Sequence, residues 1–532
     1  MRKEQRRKNL RTALAKSTLP ICATLLAGAA DPAAVSAGEA KPETPPNIVV
    51  IFGDDIGITN VSAYSRGLMG YQTPNIDRIA NEGMMFTDYY AEQSSTAGRS
   101  AFITGQNVYR TGLSKVGVPG ANIGLQAEDA TIAEVLKEMG YDTAQFGKNH
   151  LGDKDEFLPT SHGFDEFYGN LYHLNAEEDP EHPDYPKDPM FRKRYNPRGV
   201  IESYADGRII DSGPLTIKRM ETIDDEIAGR AADYLERKKD SGKPLFMWVN
   251  FTHMHLRTHP KPESVGQSGP HMSEYTDVMI DHDKNVGTVL DKLDELGMAD
   301  NTIVIYTTDN GPHMNTWPDG AMTPFRGEKN TNWEGAFRVP AMVRWPGKIK
   351  ADSISNEIFA SLDWFPTLVA AAGDDAIVDK MLTGYTAGKK TFKLHLDGFN
   401  QLPYLTGKED ASRRRGFYYY SDDGDLVAVR VVNYKIVFME QRREGTFAVW
   451  SEPFTVLRVP KLFNLRLDPF ERADITSNTY YDWILSHDFV MSAGAAATQQ
   501  LLKTFVAFPP RQRAATFTID QALEKLRAQI TK

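Results

Sequence analysis

Polar side chains that suit chemistry on an anion follow short apolar segments at several points of the chain. Asp54 and Asp55 come directly after one such segment, and Asp309 and Asn310 come directly after another. Carboxylate and amide oxygens are hard donors, and proteins use them to bind Ca²⁺ or Mg²⁺. The pattern therefore predicts a site for one divalent cation, provided that the fold brings the two segments together.

Cationic and histidine side chains follow two further apolar segments. Lys148 and His150 follow one of them, and His253 and His255 follow the other. Groups of this kind bind anionic oxygens and transfer protons. Each also has a plain structural explanation when taken singly, such as a solvated strand end. Of His253 and His255, which lie two residues apart, one is expected to be structural.

The apolar segments predict the elements that position these groups. Non-alternating apolar runs are typical of strands buried on both faces, and they occur at residues 47–52, 141–146, 245–251 and 302–307. Amphipathic helices are predicted at residues 73–82, 131–140, 223–238 and 274–296. Alternating strands and helices predict an α/β fold, with a large, mostly parallel sheet flanked by helices. Ligand sites in such sheets lie at the carboxyl ends of the strands, so the polar groups are expected to share one crevice.

Two regions depart from this pattern. Residues 166–220 are rich in Pro, Tyr, Asp and Arg and show little periodicity, which predicts an elaborated loop region near the mouth of the site. Beyond about residue 395 the pattern predicts antiparallel strands at 417–420, 426–432 and 434–439 and a terminal helix at 519–530. We therefore predict an α/β catalytic domain over residues 45–394 and a smaller C-terminal α+β subdomain over residues 395–532.

Bulk properties exclude several classes of protein. The length of 532 residues, with 41% hydrophobic and 25% charged residues, indicates an ordinary globular protein and argues against a disordered or membrane-embedded body. The formal net charge of -10 argues against a general nucleic-acid binder, although local cations decide whether a small anion binds. Cys22 is the only cysteine, so the chain cannot form an internal disulfide.

The N-terminus has the features of a signal peptide. Seven Lys and Arg residues lie within the first 16 positions, an apolar stretch covers residues 18–30, and small residues at 35–37 offer a cleavage site. We therefore predict a signal peptide over residues 1–37 and an exported, periplasmic or secreted chain without a transmembrane segment. Lipid attachment at Cys22 and a twin-arginine signal are poorer matches to the same region.

The segment 93–105, with the sequence QSSTAGRSAFITG, resembles the signature of the type I sulfatase family, in which a Cys or Ser is oxidised to a formylglycine aldehyde. Ser95 occupies the position of that residue. Further matches to the family follow in order along most of the chain, at residues 53–57, 73–80, 140–152, 308–311, 325–329, 333–340, 344–347, 362–367 and 462–469. The chain thus resembles serine-type arylsulfatases of the alkaline phosphatase superfamily.

The resemblance implies hydrolysis of sulfate monoesters with one bound Ca²⁺, for which Mg²⁺ is the alternative. The implied metal ligands are Asp54, Asp55, Asp309, Asn310 and the modified Ser95. An aldehyde hydrate carries two hydroxyls on one carbon, so that one attacks sulfur and the other later expels sulfate. Plain serine would instead be left as a sulfate ester.

The resemblance also assigns the remaining site residues. Arg99 is expected to orient the nucleophile, and Lys148 and His150 to contact the aldehyde hydrate, with His150 as the base in sulfate release. His255 is expected to protonate the leaving alcohol, and Lys329 to bind a sulfate oxygen.

Several points depart from the family pattern or stay open. Ala97 stands where cysteine-type members carry proline, which resembles the targets of radical-based maturation enzymes of anaerobic bacteria. Asn149 replaces an aromatic residue, and the segment after His255 lacks a usual proline, so His253 remains the alternative acid. His313, just after the metal motif, is a further candidate to face the substrate.

Two other functions are compatible with the sequence. One is a phosphomonoesterase or diesterase that uses unmodified Ser95, although that chemistry usually recruits two metals. The other is a catalytically silent binder of sulfated ligands. The sequence leaves open whether the substrate is an aryl sulfate or a sulfated glycan, and specificity is expected to lie in residues 166–220 and in the C-terminal unit.

Overall fold

A ten-stranded mixed sheet organises the larger part of the fold. The computed structural model describes residues 44–115, 117 and 119–515, and from Pro45 onward they belong to one compact unit. The strands of this sheet, in chain order, are β1 Asn47–Gly53, β2 Met84–Phe86, β3 Asp142–Gly147, β4 Glu166–Asn170, β5 Val200–Tyr204, β6 Ile209–Asp211, β7 Leu245–Asn250, β8 Thr302–Thr308, β9 Ala341–Arg344 and β10 Ser353–Ser355. Across the sheet their order is β10-β2-β9-β8-β1-β7-β3-β4-β5-β6.

The centre of the sheet is parallel and its flanks are mixed. β1 pairs in parallel with β7 and β8, and β3 pairs in parallel with β7 and β4. Antiparallel pairs join β9 to β2 and β8 on one side, and β5 to β4 and β6 on the other. The predicted α/β fold is therefore confirmed, with its parallel strands concentrated where the polar segments begin.

Helices cover both faces of the sheet. The main helices are α1 Pro74–Asn81, α2 Ser95–Thr104, α3 Ile132–Glu138, α4 Leu174–Glu178, α5 Ile223–Lys238, α6 Glu274–Glu295, α7 Trp364–Ala371 and α8 Phe489–Ala507. Ile48, Val50 and Phe52 of β1 pack in one apolar cluster with α2, α3 and α7, whereas Val49 and Ile51 pack in the other with α1, α5 and α6. Alternate side chains of a strand point to opposite faces, which explains why β1 needs an unbroken apolar run.

The region 166–220 is more ordered than its composition predicts. It contributes the strands β4, β5 and β6 to the main sheet and also contains α4. The prediction of an elaborated loop was wrong for these elements. They have only three to five residues each, and they lie between proline-rich turns, so they are too short to establish a periodic pattern.

A second, antiparallel sheet follows in the C-terminal part. Its strands, in spatial order, are β11 Gly416–Tyr420, β12 Leu426–Val431, β13 Tyr434–Glu440 and β14 Thr455–Asn464. The three predicted strands are confirmed within one or two residues. α8 packs so closely on β13 that a Cβ at Gly494 would lie 2.2 Å from Ile436 Cδ1. The predicted helix at 519–530 and the predicted signal peptide lie outside the described residues.

The smaller sheet is joined to the larger one through buried charges. Lys435 of β13 contacts Glu334 at 3.2 Å and Glu471 at 2.8 Å, and these three side chains are inaccessible to solvent. Such a cluster is costly to break because it would leave an unpaired buried charge. It anchors the start of β13 to Glu334 and Glu471. Within the described residues, no helix is both long and apolar enough to span a membrane.

Candidate active site

Four neighbouring strand ends deliver polar side chains to one edge of the sheet. The strands are β8, β1, β7 and β3, which are adjacent in the parallel centre. The residues that follow them, all at most 5% exposed, are Asp54, Asp55, Lys148, His150, His255, Asp309 and Asn310. Since parallel strands share the direction of their carboxyl ends, the shared crevice follows directly from the order of the strands.

Ser95 lies at the start of α2 and points into this crevice. Its Oγ is 3.1 Å from Asp54 Oδ1 and 3.1 Å from Asn310 Oδ1, so the hydroxyl proton can be donated to either oxygen. The Nζ atoms of Lys148 and Lys329 each lie 3.5 Å from the same Oγ. Two ammonium groups and a helix N-terminus together favour a negative charge at this atom.

Arg99 forms hydrogen bonds with three of the chain segments that surround the crevice. Its Nε and Nη2 donate to Asp309 Oδ2 at 3.1 and 3.0 Å, and its Nη1 donates to Asn250 Oδ1 at 2.9 Å and to the Lys148 carbonyl at 3.1 Å. α2 can approach β8 this closely only because position 98 is glycine, where a Cβ would lie 1.8 Å from the Asp309 carbonyl oxygen. Arg99 therefore links Asp309 to the ends of β7 and β3.

Three buried carboxylates form a cluster with the geometry of a cation site. One oxygen from each of Asp54, Asp55 and Asp309 lies within 4.8 Å of the others, and these side chains are fully buried. Burial raises the pKa of Asp309, and the nearby charge of Asp54 adds to the effect. Lys148 pairs with Asp54, and Lys329 pairs with Asp55 at 2.6 Å. Hard oxygens in this number fit a divalent metal ion.

The two histidines after β7 point in different directions. His255 Nε2 lies 3.8 Å from Asp55 Oδ2 and faces the crevice. His253 is turned away, with Nε2 2.6 Å from the Met220 carbonyl and Nδ1 3.3 Å from Asp224. The expected division into one site histidine and one structural histidine is thus visible in their contacts.

His150 has a backbone conformation that residues other than glycine rarely adopt. Its φ is 59°, as is that of Asp55, and both lie in the left-handed region. Neither ring nitrogen of His150 has a hydrogen-bond partner among the described residues. Burial lowers the pKa of both His150 and His255 well below its usual value, and the charges of the nearby lysines lower it further. Strain and unpaired buried nitrogens together indicate a ligand-binding role.

His173 is a site residue that the sequence did not reveal. Its ring stacks in parallel on His255 at 5.0 Å and meets His150 edge-on at 5.4 Å. Its Nδ1 accepts a hydrogen bond from the Ala176 amide at 3.2 Å, which caps α4 and leaves the proton on Nε2. Burial lowers the pKa of His173 to about 3, so the ring is neutral. The sequence signal for His173 would have been its position just after a strand. That strand, β4, lies within residues 166–220, which were predicted to form a loop region.

A cavity of about 340 Å³ opens above Ser95. It is lined by His150, His173 and His255. The other lining residues include Asn175, His313, Lys329, Phe447 and Trp450. A larger cavity of about 780 Å³ lies elsewhere, around Phe399 and Arg415, and contains none of the catalytic candidates. Of these two cavities, the smaller one is lined by Ser95, His150, His255 and Lys329.

Glu177, on the short helix α4 that His173 caps, makes the stability of this wall depend on pH. Burial raises its pKa from 4.5 to about 8, and Asp153 nearby adds to the effect, although the Gly199 amide donates to it at 3.2 Å. The folded state therefore keeps a proton that the unfolded chain has lost, so stability is highest below pH 4.5 and falls as the pH rises towards 8.

We expect Glu177→Gln to remove this dependence. Between pH 5 and pH 8.5 the wild type should lose roughly 2–4 kcal/mol more unfolding free energy than the variant, measured by urea unfolding at both pH values. Identical pH dependence in the two proteins would show that Glu177 does not hold the proton.

Comparison with known proteins gives consistent matches over most of the chain. The family model Sulfatase matches residues 46–374, and the model for the C-terminal region of aryl-sulfatase matches residues 412–527. Arylsulfatase A of Homo sapiens is 32% identical over 455 residues, covering 81% of this chain and 83% of its own. N-acetylgalactosamine-6-sulfatase of Canis lupus familiaris is 28% identical over 510 residues, covering 90% of each. The crystal structure of PsFucS1 sulfatase from Pseudoalteromonas sp. has a TM-score of 0.76 at 28% identity, covering 88% of this chain and 92% of its own.

Proposed function

The chain belongs to the sulfatase family of sulfuric ester hydrolases, and we propose that it cleaves sulfate monoesters with a formylglycine made from Ser95. The observation that supports this most strongly is the position of the Ser95 Oγ, which lies between two ammonium groups and a carboxylate cluster. A group made from this atom would meet the sulfur of a bound ester while Lys148 and Lys329 face its oxygens. As its hydrate, the aldehyde supplies one hydroxyl to attack sulfur and a second to expel sulfate.

His255 is proposed to protonate the oxygen of the leaving alcohol as the sulfur–oxygen bond breaks. Its Nε2 faces the crevice, whereas both nitrogens of His253 are engaged with Met220 and Asp224. The negative charge of the sulfate ester offsets the lysine charges that lower the pKa of His255. Binding of the substrate thus favours the protonated ring that an acid needs.

His150 is proposed to remove the proton that allows sulfate to leave. Both its ring nitrogens are free of protein partners among the described residues, and its lowered pKa keeps it neutral and able to accept. Lys148, two residues earlier, pairs with Asp54, and its Nζ lies near the Ser95 Oγ. The segment after β3 therefore carries the proposed base and also contacts the proposed nucleophile.

One Ca²⁺, or Mg²⁺ in its place, fits the carboxylate cluster. Asp54, Asp55 and Asp309, with the Oδ1 of Asn310, would hold it together with the modified residue 95. The bound ion would supply positive charge to the sulfate oxygens and to the nucleophile. This set is the only metal-binding group of three or more His, Cys, Asp or Glu residues in the described part of the chain, which favours one metal over the two of many phosphatases.

We expect chelation to lower both activity and thermal stability. An ion that binds only the folded site stabilises it by about 2–4 kcal/mol at 100–1,000 times its dissociation constant. Melting temperatures are measured after EDTA treatment and again after CaCl₂ addition, with Asp309→Asn as the variant that should lose the response. Unchanged melting and unchanged activity after EDTA would remove the metal from this account.

A direct assay tests the activity itself. Protein isolated from its own producer is given 4-nitrophenyl sulfate and 4-nitrophenyl phosphate at equal concentrations. We expect turnover of the sulfate to exceed turnover of the phosphate by at least about 100-fold, because one metal and a hydrated aldehyde suit sulfate transfer. Preference for the phosphate would instead support an unmodified Ser95 nucleophile.

Maturation and location form part of the same proposal. Ser95 with Ala97 suits a radical-based maturation enzyme, and the N-terminal residues 1–37 suit export to the periplasm or beyond. The substrate is an aryl sulfate or a sulfated sugar, since relatives are named for both arylsulfatase and N-acetylgalactosamine-6-sulfatase activity.

A further inference from the structure

We propose that Phe447 and Trp450 form a subsite for the leaving group, which binds a ring-bearing alcohol or phenol by its flat face, and that Glu328 holds this subsite in place. The inference rests on the proposed sulfatase function. It concerns the half of the ester that leaves, whereas the residues around Ser95 act on the sulfate half.

Phe447 and Trp450 line the same cavity as Ser95 and Lys329. They lie three residues apart at the helical turn Ala448–Ser451, a spacing that places two side chains on one side of a helix. Phe447 is 72% exposed, although a large apolar side chain is normally buried when nothing else requires it at the surface. The Trp450 ring lies 6.5 Å from the His313 ring at an angle of 30°. Two aromatic side chains thus border the entrance to a charged site.

Glu328 joins this aromatic segment to the sulfate-binding part of the site. Its Oε1 accepts a hydrogen bond from the Gly445 amide at 2.8 Å, and its Oε2 accepts from the Met314 and Asn315 amides at 2.8 and 3.2 Å. The carboxylate is fully buried, and it precedes Lys329 in the chain. The buried Glu328 side chain therefore connects the loop after His313 with the loop before Phe447. Glu328 is also the chain neighbour of Lys329, which pairs with Asp55.

Further bonds make the aromatic segment rigid. The Gln441 side chain donates to the carbonyls of Val449 and Glu452 at 3.2 and 2.8 Å, and the Gln441 carbonyl accepts from Trp333 Nε1 at 3.3 Å. A segment held at both ends presents its aromatic rings in one arrangement, as a binding surface requires.

The chemistry of these side chains selects the class of leaving group. Aromatic rings bind flat apolar surfaces by stacking. The ring of a phenol offers such a surface on both faces, and a sugar ring offers one on the face that carries its axial hydrogens. Inorganic sulfate has no such surface, so it reports the sulfate half of the site alone.

The test compares Trp450→Ala and Phe447→Ala with wild type. The substrates are 4-nitrophenyl sulfate and N-acetylgalactosamine 6-sulfate, and inhibition by inorganic sulfate is measured alongside. We expect each variant to raise KM for a ring-bearing substrate by roughly 5- to 10-fold, with kcat changed less than about threefold and the inhibition constant of sulfate unchanged. The substrate with the larger loss identifies which kind of ring the subsite binds. Tyr481→Ala is the matched control, because Tyr481 is also 72% exposed in the C-terminal part but does not line the cavity.

Glu328 is tested as a positioning residue through a double-mutant cycle. Glu328→Gln keeps the shape but can accept fewer of the three amide bonds, and we expect it to raise the same KM values. The cycle treats the two aromatic residues as one unit, because Glu328 is proposed to act through both of them. Adding Glu328→Gln to the Phe447→Ala, Trp450→Ala double variant should raise KM no further, whereas a general folding defect would add to it.

The outcomes separate this inference from the proposed function. Unchanged KM values in both aromatic variants, or an equal rise in the inhibition constant of sulfate, overturn the subsite. A further rise in KM when Glu328→Gln is added to the variant that lacks both aromatic side chains overturns the role of Glu328. Wild-type protein that hydrolyses no sulfate ester, while it hydrolyses phosphate esters, refutes the sulfatase proposal itself. Melting curves for each variant show that it has folded.

Discussion

Ser95→Ala is expected to lower kcat/KM for a sulfate ester by at least about 10⁴-fold, because it removes the atom from which the nucleophile is made. Among the described residues, the side chains that contact its Oγ are those of Asp54, Asn310, Lys148 and Lys329, and none of them carries a hydroxyl that could replace it. Activity is measured with 4-nitrophenyl sulfate, and the remaining rate shows what positioning and charge achieve without covalent chemistry.

The fold should survive this change. The hydroxyl donates its one proton to Asp54 Oδ1 or Asn310 Oδ1, each 3.1 Å away, and both of these residues keep other contacts within the crevice, so we expect only a small fall in melting temperature. Ser100→Ala in the same helix is the matched control, since its hydroxyl contacts Thr111 rather than the crevice. Near-wild-type turnover by Ser95→Ala would contradict the assigned nucleophile.

Lys329→Ala is expected to lower kcat/KM by about 10³-fold. Its Nζ lies 2.6 Å from Asp55 and 3.5 Å from the Ser95 Oγ, so Lys329, like Lys148, is a cation that contacts both the carboxylate cluster and Ser95. A charge placed in advance at a buried site stabilises developing negative charge by roughly 3–4 kcal/mol. The loss should appear mainly in kcat, because the sulfate gains its extra charge in the transition state.

The accompanying measurements separate catalysis from folding. Asp55 retains the Asn310 amide at 2.6 Å after the change, which limits the cost of leaving its carboxylate without the lysine. Melting temperature is followed with and without Ca²⁺, and the exposed Lys389→Ala serves as the control. A variant that binds and turns over substrate like wild type would show that Lys329 has only a structural role.

Much of the fold was accessible from sequence because its central strands are buried on both faces. β1 and β8 needed unbroken apolar runs, and such runs are readable without an alignment. The polar residues after them then followed from a general rule about strand ends. The choice between His253 and His255 was different, because it depends on the direction in which each ring turns, and that was visible only in their contacts with Met220 and Asp55.

The rest required three-dimensional contacts that span long stretches of chain. Glu328 meets Gly445 across more than a hundred residues, and Trp450 reaches His313 across a similar interval. His173 lay in a region whose strands are too short to leave a periodic signal. The helix α8 was also missed, since its alanine-rich sequence has little contrast between its faces. The positions of such residues are fixed by packing between distant segments, so single-sequence patterns do not mark them.

The proposed chemistry requires residue 95 to be an aldehyde in the working protein. Mass spectrometry of the peptide that contains it, prepared from protein made by its own producer, measures this directly. The account predicts a peptide lighter by two hydrogens than the encoded serine form, or the hydrate of that species. An unaltered serine in protein that hydrolyses sulfate esters rapidly would contradict it.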